Sequence, residues 1–508
     1  MGTDALVAAR AGVSTPPLVV RPLVRALPPE WTSVRALAAV GAGPYTLFFE
    51  SGGTLGGASR WTLLAFDPVW RLTLRDGRLR RIDSEGEHLL MRDPMTALAE
   101  VWPARARYDP PPPGPFTSGL AGYLSYDLKD HLERYPSRAT RDLDFPDLSL
   151  RYHDVVWMWD RETAEGWVVS TGLPEPDRAE REARAEKRLR HQWHSMADAM
   201  ERIQAGSPSN DLDSGDLPVP KPVLTSNFTR DAYRTMVSRA LEHIGAGDIY
   251  QVNLAQRFQV APAPPALSVY RSLREIAPAP FLAFASLPNG GIASSSPERF
   301  FRVRGARIET WPIKGTRPRG ATAEDDAHLV AELRASAKDR AENVMIVDLE
   351  RNDLGRVCEV GSVAVPALCD VATHSNVHHL ESRVEGRLRA DASPVDVIRA
   401  LFPGGSITGA PKIRAVEIID ELEPVRRGVY TGAIGYWDDS GDCDWNIAIR
   451  TISIVRGAAY FHAGGGIVAD STPEGEYEET LVKATGMMRA LGVRYPREAS
   501  EEVTCRDS

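Results

Sequence analysis

Cysteine is scarce in this 508-residue chain: there are four, Cys358, Cys369, Cys443 and Cys505, and none stands in a Cys-x-x-Cys spacing. That pattern suggests neither a zinc site nor a disulfide framework, and it fits a reducing cytosol. Positive charge is also short, with 60 Lys and Arg against 69 Asp and Glu and a net charge of −9. A general nucleic-acid binder needs clustered Lys and Arg against phosphates, so that class is disfavoured. A small anionic substrate at a local basic site stays compatible. No apolar run approaches the length of a membrane span. Residues Met1 to Pro17 lack the charged-then-apolar order of a signal peptide, and Leu6 stands where a myristoylation motif needs Ser or Thr. The expectation is a cytoplasmic protein with neither a membrane nor a nucleic-acid partner.

The apolar fraction of 43% and the charged fraction of 25% are those of an ordinary globular chain, long enough for two domains. Residues 1–17 read as a poorly ordered start. Short apolar runs at Tyr45 to Phe49 and Trp61 to Phe66 are strand signals, and Asp109 to Pro115 is a proline-rich loop. Asp177 to Ile203 reads as a charged, alanine-rich helix. Ala205 to Ser226 is rich in Gly, Ser, Pro and Asp without periodicity and reads as a linker or mobile loop. This predicts an N-terminal β-rich region (18–204), a linker (205–225) and a C-terminal domain (226–495). In the last, helices are expected at Arg230 to Ala246, Asp325 to Leu354, Pro411 to Leu422 and Glu474 to Leu491. Strands are expected at Phe281 to Leu287, Phe300 to Arg304, Tyr430 to Trp437, Asn446 to Val455 and Ala458 to Ala463.

Several groups of residues carry chemistry. Asp339 and Glu342 are three apart on one expected helix, and Glu476 and Glu479 are three apart on another. Residues at i and i+3 share a helix face, so each pair presents two carboxylates to one side, with Lys483 on the second face as well. Two facing acidic pairs suit a hard cation such as Mg²⁺; the plainer alternative is four solvated acids. The run Pro403 to Lys412 opens a helix, and its N–H groups and hydroxyls can cradle an anion. It lacks the Walker A order, so a carboxylate suits it as well as a phosphate; a tight capped loop is an equal reading. Gly464, Gly465 and Gly466 end an expected strand and let a ligand approach backbone closely, unless they only form a bulge. Arg450, after the apolar strand from Trp445, needs a carboxylate partner from ligand or protein. His379 reads on its own as a structural histidine.

Phe300 to Arg304, a turn near Gly305, and Arg307 to Ile313 read as a hairpin. It brings Glu298 near residues 312–314, with cross-strand Cβ atoms roughly 5 Å apart. Whether Glu298 and Lys314 share a face depends on turn length. The two form either a structural ion pair or an acid and nucleophile pair, since a desolvated Lys is a nucleophile once deprotonated.

The ordered set of runs resembles the chorismate-utilising enzymes, the family of anthranilate, aminodeoxychorismate, isochorismate and salicylate synthases. The matching runs are Ser296 to Phe300, Pro312 to Gly320, Ala341 to Leu349, Gly404 to Lys412, Ala463 to Ser471 and Glu476 to Glu479. The resemblance covers about residues 226–495. More loosely, Phe48-Phe49-Glu50-Ser51 resembles a stretch that helps form a tryptophan pocket in the family, which makes Ser51 a possible pocket residue. The resemblance implies an α+β fold, a large mixed chorismate-binding architecture of two packed sheets surrounded by helices. It also implies Mg²⁺ on Glu342 and Glu479, supported by Asp339 and Glu476. Arg450, Lys483, Tyr430, Thr408 and the Gly464 to Gly466 backbone would bind substrate, with His379 near the ring.

Lys314 divides the family. Anthranilate synthases carry Ala at this place, whereas aminodeoxychorismate synthases component I carry Lys, and the Gly405 to Gly409 loop resembles the latter too. The expected activity is amination of chorismate with ammonia to 4-amino-4-deoxychorismate, with Lys314 as nucleophile and Glu298 as general acid. None of the cysteines has the Gly-x-Cys-x-Gly context of an amidotransferase, so ammonia would come from a separate glutaminase subunit. No lyase domain is expected after Leu491. The alternatives are anthranilate synthase, an isochorismate-type isomerase, and a chorismate-binding paralogue without chemistry.

Overall fold

A computed structural model describes residues 17–52, 60–102, 105–205, 221–374 and 377–495. Two large twisted sheets dominate it. One runs, in spatial order, from Ile313–Pro318 through Val377–Arg387, Arg307–Thr310, Arg299–Arg304, Cys443–Ile447, Ala433–Asp438, Gly119–Leu124, Leu148–His153, Trp70–Arg75 and Arg78–Asp83 to Gly86–Leu90. The other runs from Val223–Ser226 through Gln251–Ala261, Ala458–Ile467, Thr451–Val455, Gly290–Ser296, Phe281–Leu287, Leu47–Glu50, Trp61–Ala65, Val155–Asp160 and Gly166–Ser170 to Leu23–Ala26. Each sheet contains strands from both sides of the 205–225 segment: Gly119–Leu124 pairs with Ala433–Asp438, and Leu47–Glu50 with Phe281–Leu287.

Alternation along the strands explains the layering. Ala121, Tyr123, Ile434 and Tyr436 of the first sheet pack against Leu63, Val156, Met158 and Ala283 of the second, which closes a sandwich. The opposite faces are covered by helices. Trp70, Leu72 and Leu74 meet Pro94–Val101, while Phe284 and Phe461 share a core with Ala266–Ile276 and Pro473–Ala490. The charged helix Arg178–Gln204 starts at the cap Asp177 and buries Ala185, Gln192, Met196, Ala199 and Met200, a stripe at helical spacing. The expected α+β sandwich is therefore the observed one.

Local differences have clear causes. Val223–Ser226, expected as linker, is an edge strand on Gln251–Ala261; residues 206–220 of that linker and residues 1–16 of the N-terminal start lie outside the described residues. The helical stretch from Asp325 is two helices, Ala323–Ala335 and Ala337–Gly355, broken at Ser336, whose side chain caps the second. The strand expected at Tyr430 begins only at Ala433, after a turn in which Thr431 has φ 59°. The run from Asn446 to Val455 is two strands, separated where Arg450 takes φ 49°. The glycines 464–466 do not end their strand; it continues to Ile467 with Gly464, Gly465 and Gly466 opposite Ala255, Leu254 and Asn253.

Candidate active site

The expected hairpin forms, with Arg304 opposite Arg307 and Arg302 opposite Glu309 about Gly305, which supplies the left-handed φ of 59°. Continuing that register places Glu298 opposite Ile313, and the Glu298 carboxylate accepts a hydrogen bond from the Ile313 N–H. The strand Ile313–Pro318 then leaves its hairpin partner and pairs with Val377–Arg387. Lys314 is thereby carried over the Gly405–Ile407 turn, where its Nζ donates to the Ser406 carbonyl at 3.3 Å. The Ser406 hydroxyl bonds the Glu298 carboxylate. Among the described residues no ion pair joins Lys314 to Glu298; they meet through Ser406.

Burial sets the charge states. It pushes the Glu298 carboxyl above its usual range, against the pull of Ser406 and Lys314. It draws the Lys314 ammonium down, against the carboxylates of Glu342, Glu298 and Glu479, with Lys483 adding to the fall. Both shifts run in the direction that general-acid and nucleophilic chemistry require, the acid holding its proton more tightly and the amine less tightly.

The two acidic pairs lie on the helices Ala337–Gly355 and Pro473–Ala490. Burial raises Glu342, which feels Lys314, Lys338, Asp339 and Glu479 together. Burial also raises Glu476, with Ser471 opposing and Glu479 adding. The pairs thus face each other across Lys314. Each acid also has a protein partner: Arg317 stands 3.3 Å from Asp339, Lys338 4.0 Å from Glu342, Lys483 2.5 Å from Glu479, and the Ser471 hydroxyl 2.6 Å from Glu476. Among the described residues no three His, Cys, Asp or Glu side chains are grouped closely enough to hold a metal between them. One feature does suit a cation: Glu476 Oε2 is buried with no hydrogen-bond partner. A Cβ on Gly465 would lie 2.8 Å from that atom and 3.2 Å from Glu479 Oε1. The missing side chain keeps open the space between strand and carboxylates.

The other expected site residues fall as follows. Arg450 makes no ion pair among the described residues, and burial lowers its pKa. It stands close enough to His379 to depress that imidazole, which burial pulls down to about 3; His379 is neutral, with Nδ1 2.9 Å from Thr316 Oγ1. Lys483 Nζ also donates to the Gly464 carbonyl at 3.0 Å. Tyr430 stacks on His462 with centroids 4.8 Å apart. Thr408 is fully buried and spends its hydroxyl proton on the Gly404 carbonyl at 2.8 Å, inside the loop. Ser51 lies apart, at the end of Leu47–Glu50, where its N–H donates to Trp61. Beside it Glu50 is clamped by Arg274 and Tyr270. Cys358, Cys369 and Cys443 are free and buried, and Cys505 lies outside the described residues.

Ser406 and the pair Glu423 and Arg427 were not singled out from the sequence. Ser406 was legible only as part of a glycine-rich loop. Arg427, in Arg426-Arg427-Gly428, reads as surface charge; only its burial against a non-neighbouring strand reveals otherwise. No helix among the described residues is long and apolar enough to cross a membrane.

Comparison with known proteins gives the family. Aminodeoxychorismate synthase component 1 of Bacillus subtilis is 36% identical over 450 residues, covering 88% of this chain and 91% of that protein. Anthranilate synthase component 1 of Thermus thermophilus is 38% identical over 443 residues, covering 86% and 90%. The crystal structure of anthranilate synthase component I from Streptococcus pneumoniae superposes with a TM-score of 0.72 at 32% identity, covering 86% of this chain and 94% of that one. The family described as chorismate binding enzyme matches residues 47–489, across both sheets and every residue of the Lys314 site, and this chain belongs to that family.

Proposed function

We propose that the protein is the synthase component that aminates chorismate to 4-amino-4-deoxychorismate. One observation carries the reading: Lys314, with a lowered pKa, is joined through Ser406 to Glu298, whose pKa is raised. The relatives include enzymes named for either amination product, so overall likeness does not choose the product. An amine at position 314 supports the first of them, 4-amino-4-deoxychorismate.

In this reading Arg450 and Lys483 receive the substrate carboxylates. Glu342 and Glu479, with Asp339 and Glu476, would hold Mg²⁺, and the unpartnered Glu476 Oε2 and the open space over Gly465 support that assignment. The metal would supply neutralising charge for the ring carboxylate. Neutral Lys314 attacks C2, forming a C–N bond as the ring double bonds shift and the C4–O bond breaks. Glu298 gives its proton to the departing hydroxyl, which leaves as water. Ammonia then attacks C4, the double bonds shift back, and the bond to Lys314 breaks. Without an amine at this place ammonia adds at C2, toward anthranilate. A separate glutaminase subunit supplies the ammonia, in keeping with the "component 1" names of the relatives.

The test is product analysis with chorismate, ammonium and Mg²⁺. Aminodeoxychorismate is expected; anthranilate or isochorismate as the main product overturns the reading. Lys314→Ala should lose most activity and shift the remainder toward anthranilate, and full retention of the wild-type output would remove Lys314 as nucleophile.

A further inference from the structure

A second cavity, of about 610 Å³, opens at the far end of the sandwich. It lies between the Gly43–Thr46 segment, the strand Trp70–Arg75 and the helix Arg178–Gln204. Along the first sheet Arg71 is five strand spacings from Arg299–Arg304, the strand that follows Glu298, roughly 24 Å at about 4.8 Å each. Ser51 is at the opposite end of its strand from this cavity.

Arg71 lines the cavity, and a second arginine, Arg151, is buried behind it. Arg71 and Arg151 stand directly opposite each other on antiparallel strands, so both side chains project from one face. Like charges in that arrangement repel, and neither has a carboxylate partner among the described residues. Arg151 is fully buried; it donates to the carbonyls of Thr46 (3.3 Å) and Ser286 (2.6 Å), and its Nε has no partner. Arg71 makes no hydrogen bond or ion pair among the described residues. Its guanidinium lies 3.7 Å from the centroid of the Tyr45 ring, and that of Arg151 5.4 Å from the same ring. Tyr45 is held at φ 68°, a backbone conformation that non-glycine residues rarely adopt, and its ring lies under the two cations.

The acids of the cavity are already matched. Asp67 pairs with Arg188, and Asp83 with Arg81 and His88. The unmatched charge on the walls is therefore positive, from Arg71 and, at the rim, Arg202. The uncharged wall mixes apolar and aromatic residues, among them Val40, Phe66, Trp70 and Met196, with the polar His191 and Gln192. A planar guanidinium over a ring, without an ion-pair partner among the described residues and beside an aromatic wall, matches a carboxylate carried on an aromatic body.

We propose that this cavity is a binding site for a small aromatic carboxylate, anchored on Arg71 and separate from the Lys314 site. The inference does not depend on which product the Lys314 site makes.

Benzoate titrated calorimetrically into the full chain tests it, with benzyl alcohol as the uncharged counterpart and inorganic phosphate as the plain anion. Saturable benzoate binding is expected, with little binding of either counterpart. A charge-assisted hydrogen bond is worth enough that Arg71→Met should weaken benzoate roughly tenfold or more, whereas Arg450→Met should leave it unchanged. Should Arg71→Met fail to fold, Ala39→Phe, which fills the chamber from the helix Ser33–Val40, should abolish binding instead. Four results overturn the proposal: no saturable binding, equal affinity in the Arg71 or Ala39 variant, loss in the Arg450 variant instead, or phosphate binding as tightly as benzoate.

Discussion

Glu423 and Arg427 form a buried two-pronged ion pair, at 2.8 and 2.7 Å, that clamps the Gly405–Ile407 turn to the second sheet. Arg427 also donates to the Ile407 carbonyl at 3.1 Å and the Asn253 carbonyl at 2.7 Å, while Glu423 accepts from the Ala255 N–H at 2.9 Å. The turn that carries Ser406 is thus tied to the strand beneath the glycine run.

Glu423→Gln leaves the Arg427 cation buried without its counter-charge. Removing one partner of a buried pair costs about 3–5 kcal/mol, so urea unfolding should show a loss of that order. Amination at a temperature where the variant stays folded should fall too, because Ser406 loses its anchor. Unchanged stability would show that the clamp is not needed.

Glu298→Gln keeps the shape of the side chain and removes its proton. General-acid catalysis contributes about 10²- to 10⁴-fold, and kcat should fall within that range with little change in KM. The reactive form needs neutral Lys314, favoured as pH rises, and protonated Glu298, favoured as pH falls. Because burial lowers the first and raises the second, the wild-type profile is a bell within the span between ordinary Glu and Lys values, and the variant loses one limb.

Adjacent glycines give opposite outcomes. A Cβ at Gly464 meets the Leu254 carbonyl oxygen at 2.2 Å, which is backbone and cannot yield, so Gly464→Ala should lower the melting temperature. At Gly465 the Cβ meets the Glu476 and Glu479 carboxylates, which can swing. Gly465→Ala should therefore stay folded while activity falls and its Mg²⁺ requirement rises, as a titration of rate against Mg²⁺ would show.

Asp439, hydrogen-bonded by Ser118 and Tyr152, is pushed up to about 7, chiefly by burial and then by neighbouring Asp438. The folded protein keeps this proton where the unfolded chain has lost it. The contribution of Asp439 to stability is therefore greatest below the ordinary carboxylate range and declines as pH rises from there to about 7. Asp439→Asn should flatten that decline, measured by denaturant unfolding at pH 5 and pH 8.

Much of the site was legible because its signals are local. Glu298 and Lys314 came together in the sequence because a hairpin about Gly305 is a short-range event with a countable register. The acidic pairs were legible because i and i+3 always share a helix face. Arg450 was not fully legible: its apolar flanks looked like one long strand, and only pairing with different neighbours on each side, in two different sheets, forces the break at its positive φ. The glycines 464–466 read as a strand end because glycine is a poor strand former, yet pairing with Gln251–Ala261 holds them in the sheet. Arg427 was invisible, since nothing local distinguishes a buried arginine from a solvated one.

The sequence by itself determined the chemistry on offer: the amine at 314, the acid at 298, two carboxylate pairs and an arginine at 450 in an apolar setting, each set by residue type and short spacing. Tertiary structure alone decided how they meet. Ser406, nearly a hundred positions from Lys314 in the chain, links Lys314 to Glu298, and burial among distant strands moves both proton affinities in the useful direction. The same long-range packing set Arg71 against Arg151 over Tyr45. Register between distant strands and desolvation by distant residues are properties of the folded chain, and no local pattern encodes them.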